Sequence, residues 1–100
     1  MYSAITAEIA KNPQSVFTYE YLLSACEGTA DPRVINFIYH EGVSHIKDNS
    51  FLFQQYGEFL EEMNEYEAAR QMFKEAYMIT PNDDLARSII RVGVAREREE

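Results

Sequence analysis

Apolar residues recur along this chain at intervals of three and four, in blocks separated by short polar or proline-bearing breaks. That period gathers them on one face of a helix, whereas a strand would alternate them. Ser3 to Lys11 reads as a first helix, with Ser3 as N-cap and Ile5 and Ile9 on one face. Asn12-Pro13 ends it, because the residue before a proline avoids the helical region. Ser15 to Glu27 reads as a second helix carrying Tyr19, Leu22, Leu23 and Cys26, broken by Gly28-Thr29-Ala30. Asp31-Pro32 restarts a third, with Asp31 as N-cap and Pro32 at the first helical position. Its apolar set is Ile35, Phe37, Ile38, Tyr39, Val43 and Ile46. Asp48-Asn49-Ser50 offers caps for a fourth helix, about Phe51 to Met63, with Phe53, Tyr56, Phe59 and Leu60 inward. Asn64 can take the left-handed conformation that ends it. A fifth helix spans about Glu65 to Ile79, and Pro81-Asn82-Asp83 caps a sixth from Asp84 to about Arg98. Links this short imply antiparallel neighbours, so the expected fold is all-α, built of stacked helical hairpins.

Composition narrows the class. At 100 residues the chain is sized for one small domain, and 46% apolar content with 13 aromatic residues supplies a core. Four Gly and three Pro leave little material for the turns of an all-β fold. A formal net charge of −8 repels phosphate backbones and anionic lipid, so neither nucleic acid nor membrane is an expected direct partner. One cysteine, Cys26, forms no internal disulfide, which fits a reducing compartment. No signal peptide or apolar run of spanning length is seen in the sequence.

Pro13 and Pro81 stand 68 residues apart, twice 34, with Lys47 midway. A period of about 34 points to tetratricopeptide repeats. The segment Ser50 to Asp83 resembles such a repeat along its length. Phe53 stands at the large first-helix position, Tyr56-Gly57 at the Leu-Gly pair, and Leu60 at the next aromatic. Tyr66 matches the aromatic after the turn. Ala69, Phe73 and Ala76 match the small, aromatic, small series, and Pro81 the closing proline. Ala69 and Ala76 flank Phe73 on one helical face, and a helix-interior Gly57 makes sense where a paired helix comes close. Shifted by 34, residues 16–49 form a degenerate repeat, with Tyr19, Leu22 and Leu23 in its first helix and Ile35, Tyr39 and Gly42 in its second. Residues 1–13 make a half repeat and 84–100 a solvating last helix, all within one domain spanning 1–100.

The chain also resembles half-a-TPR repeats of RNA-processing scaffolds. Phe53, Tyr56 and Phe59 at three-residue spacing carry that likeness, followed by Ala69-Arg70, Phe73, Ala76 and Pro81. Either likeness implies a protein-binding scaffold and not an enzyme. The first implies a cytoplasmic protein, the second a nuclear one.

In tetratricopeptide repeats the first helices line a concave groove. The resemblance places Phe17, Glu20, Ser24 and Glu27 there in the first repeat and Phe51, Gln54, Glu58 and Glu61 in the second. Leu85, Ser88 and Val92 are the expected groove residues of the last helix. The set is acidic with an aromatic at each rim, which suits a basic or amphipathic segment of another protein. Co-chaperones of this family grip acidic tails with Lys, Arg and Asn. The corresponding positions, Glu20, Ser24, Gln55, Leu85 and Ile89, hold no cation.

Catalytic and metal chemistry finds little to stand on. His40 and His45 are five apart, so they point about 140° from each other on a helix and cannot share a metal there. Cys26 lies on an apolar stripe as a small core residue. Glu61-Glu62 reads as a solvated face and Asp83-Asp84 as a cap. No cofactor is expected. Repeats bury their faces against neighbours and usually number about three, against roughly two and a half here. Leu85, Ile89, Ile90, Val92 and Val94 exceed what one narrow face needs, so the terminal helix is a candidate homodimer surface.

Overall fold

A computed structural model describes residues 2–26 and 31–99. Among these residues the chain is all-α, with no strand. The helices are α1 (Tyr2–Lys11), α2 (Val16–Ala25), α3 (Pro32–His45), α4 (Ser50–Glu62), α5 (Tyr66–Ile79) and α6 (Asp83–Glu99). They fall into two compact units, Met1–Lys47 and Asp48–Glu100.

In the first unit α2 packs on both α1 and α3. Ile5 and Ile9 are buried, as their spacing predicts, but α1 starts at Tyr2, so Ser3 lies inside the helix and is not its cap. The Asn12-Pro13 break is tied to α2 by side chains. Tyr19 donates its hydroxyl to Pro13 O at 2.7 Å, and Thr18 donates to Asn12 O at 3.0 Å. Burial, and then the charge of Glu41, hold the Tyr19 phenol above its ordinary pKa. The expected break at Gly28-Thr29-Ala30 lies outside the described residues. Asp31 caps α3 by accepting the Arg33 amide at 2.9 Å, with Pro32 at the first helical position. The buried face of α3 is Val34, Ile38, Gly42 and Val43, with Ile46 just beyond. Ile35, Phe37 and Tyr39 are only half-buried, so this face sits one residue away from the expected one.

In the second unit α5 packs between α4 and α6. Asn49 Oδ1 caps α4 through the Leu52 amide at 3.0 Å. Asn64 adopts φ 61°, the left-handed turn that reverses the chain into α5. The α4–α5 seam then closes on Gly57. A Cβ built there would lie 2.9 Å from Phe73 Cε1, so only a hydrogen fits. Ala69, Phe73 and Ala76 are each 0% exposed and face α4 together. Burying a ring such as Phe73 is worth about 1.5–3 kcal/mol, which more than offsets the roughly 1 kcal/mol a helical glycine costs. Leu52, Phe53, Tyr56 and Leu60 complete the α4 side.

Candidate partner-binding faces

Each unit carries part of the expected groove. On α2, Phe17 is 74% exposed, and Glu20 and Ser24 also face solvent. Glu27 lies outside the described residues. On α4, Phe51 is 59% exposed, Glu58 is exposed, and Gln54 and Glu61 are half-buried. Phe17 and Phe51 stand 34 residues apart, each at the second position of its helix. Both leave a large ring in water beside a well-packed core, which calls for an explanation in a way that single exposed aliphatics do not.

The last helix departs from expectation. Leu85 and Val92 are 1% and 0% exposed and form the buried spine of α6, so neither lines a groove. Ser88 is half-buried and donates its hydroxyl back to Asp84 O at 3.0 Å. The reason is a change of period. Val16 and Ser50 start α2 and α4 34 residues apart, whereas Ser50 and Asp83 start α4 and α6 33 apart. The caps repeat in the shorter frame. Asn49 accepts the Leu52 amide, and Asn82 accepts the Leu85 amide at 2.8 Å. One residue of slip turns a helix by about 100°. A 34-residue shift therefore carries Phe51 onto buried Leu85, while a 33-residue shift carries it onto exposed Asp84.

In the corrected frame the α6 counterparts of Gln54 and Glu58 are Arg87 and Arg91. Arg91 grips Glu61 of α4 with both forks, Nε to Oε2 at 2.8 Å and Nη2 to Oε1 at 2.7 Å. That hydrogen bonding, reinforced by the charges of Glu61 and Glu58, raises the Arg91 pKa above its ordinary value. Arg87 pairs with Asp84 at 3.2 Å. The α4–α6 face is thus a mixed-charge surface with Glu61 already neutralised, not a uniformly acidic one. It also contains cations, so the expectation of a face without them fails for this unit. The repeated Asn-x-x-Leu of Asn49–Leu52 and Asn82–Leu85 was the signal in the sequence for the shorter spacing.

The residues weighed for chemistry stay apart. His40 and His45 are both exposed on α3. Cys26 is half-buried at the C-cap of α2, its amide donating to Leu22 O at 3.2 Å. Among the described residues no three His, Cys, Asp or Glu side chains cluster to hold a metal ion. No described helix is long and apolar enough to cross a membrane. Comparison of the chain with protein-family models, curated proteins and solved structures returned no match.

Proposed function

We propose that this chain is a protein-binding scaffold of tetratricopeptide type, acting in the cytoplasm, which holds a basic or amphipathic segment of another protein against α2 and α4. The observation that carries the reading is the pair Phe17 and Phe51, exposed at equivalent positions one repeat apart. The Gly57–Phe73 close approach supports the repeat reading, because it is what the family's glycine serves in a hairpin of this kind. Glu20 and Glu58, one repeat apart and both exposed, supply the charge preference. Glu61 contributes less, since Arg91 already neutralises it. A half-a-TPR subunit of an RNA-processing assembly is the second reading, favoured by the joint burial of Phe53, Ala69, Phe73 and Ala76.

The test is affinity enrichment with wild type and with the Glu20→Lys, Glu58→Lys double variant, each with and without nuclease. The proposal expects captured protein that survives nuclease and drops about tenfold or more in the variant. Equal capture by the variant contradicts the groove, and loss on nuclease treatment favours the second reading.

A further inference from the structure

The 33-residue frame also says which side of α6 lacks a neighbour. It carries Phe53, Gly57 and Leu60, the residues through which α4 meets α5, onto Ala86, Ile90 and Gly93. In α4 that side is covered, with Phe73 seated on Gly57. In α6 it lies open, with Ile90 67% and Val94 43% exposed. It is also on the opposite side of the helix from Arg91, since Gly93 lies two residues, about 200°, further round. Ala86, Ile90 and Gly93 repeat the small, large, small order, at spacings of four and three, that Ala69, Phe73 and Ala76 use to pack α5 on α4. This is a face shaped for a helix.

A second observation defines the chemistry of that helix. Arg70 of α5 lies at the edge of the same opening, a cleft of about 280 Å³ that Ile90, Gly93 and Val94 also line. Its Nε is buried and meets no acceptor among the described residues. Gly93 gives it room, since a Cβ there would lie 3.7 Å from that nitrogen. A buried guanidinium N–H without an acceptor is costly, and a carboxylate is its best partner. Arg96 adds nothing acidic and is itself engaged by Glu67 of α5.

We infer that the open side of α6 docks a helix of a partner protein that brings a large aliphatic side chain and a carboxylate one turn apart, the first over Gly93 and the second onto Arg70. A second copy of α6 fits less well. The residues one turn from Ile90 are Ala86, Arg87, Gly93 and Val94, so it delivers no carboxylate with its aliphatic knob.

The experiment uses the full chain with labelled arginine and Ile/Val methyl groups. The probes are a stapled helical peptide with Leu and Glu one turn apart on a neutral Ala/Gln background, and its twin with Gln for Glu. The inference expects saturable shifts of the Arg70 Nε–Hε and Ile90 methyl resonances, with the Gln twin about tenfold weaker or worse. Arg70→Gln should erase the difference between the peptides, and Gly93→Leu should abolish binding while leaving the helical spectrum and melting intact. Equal affinity of the twins, or an unmoved Arg70 resonance, overturns it. So do Ile90 shifts that follow protein concentration without peptide, which would assign the face to a second copy.

Discussion

Gly57 and Gly93 both interrupt helices, yet they answer to different neighbours. At Gly57 a methyl group meets the fully buried Phe73 ring at 2.9–3.1 Å. Gly57→Ala should therefore destabilise the second unit by about 1–3 kcal/mol, overriding the gain in helix propensity. Gly93→Ala meets only Arg70 Nε at 3.7 Å and should stabilise by about 0.5–1 kcal/mol. Denaturant midpoints of the two variants moving the same way would contradict this contrast. At Asp31 the Arg33 side chain, and then its amide, hold the carboxyl pKa at about 2, below the ordinary 3.8. A carboxyl depressed in the fold contributes its stability fully above the unfolded value and loses it as pH falls through the folded one. The contribution of Asp31 is thus present above about pH 4 and fades toward pH 2. A carbon-detected titration should place its midpoint near 2, rising toward the ordinary range in Arg33→Ala. A wild-type midpoint near 3.8 would refute the pairing.

Helix ends were the most readable elements, because their chemistry is local. Asp31-Pro32, Asn49 and Asn64 each do what their residue types favour: a side-chain oxygen accepts an orphan amide, or an asparagine tolerates positive φ. Ala69, Phe73 and Ala76 were readable for a similar reason, since two small residues around a large one leave a helix a single packing face. The orientation of α6 was not, because a fixed 34-residue step says nothing about a link one residue shorter. That misplaced Leu85 and Val92 and hid Arg87 and Arg91. The caps permit a direct check. Asn82→Ala should cost about 0.5–2 kcal/mol and speed amide exchange in the first turn of α6, with α4 unaffected. Ala69→Leu should overpack the α4–α5 seam by about 1–3 kcal/mol, and an unchanged melt would mean the seam is elsewhere.

At the scale of the whole molecule, two helical units present exposed aromatic and carboxylate side chains at a repeat spacing. The rims of the expected site, Phe17 and Phe51, could be placed from the sequence because they sit at helix starts, where small errors of frame matter little. Its electrostatics could not, because the Arg91–Glu61 pair joins residues 30 apart on different helices. Net charge alone suggested a uniformly acidic face, and only the packing of α6 beside α4 brings the cations onto it.

The central claim is that this exposed aromatic pair contacts protein. It is tested most directly by photo-crosslinking, with p-benzoylphenylalanine in place of Phe17, Phe51 or, as an exposure-matched control, Met78, which is 77% exposed on α5. The account predicts nuclease-resistant protein adducts at Phe17 and Phe51 and few at Met78. Adducts as frequent at Met78, or none at the two phenylalanines, would contradict it.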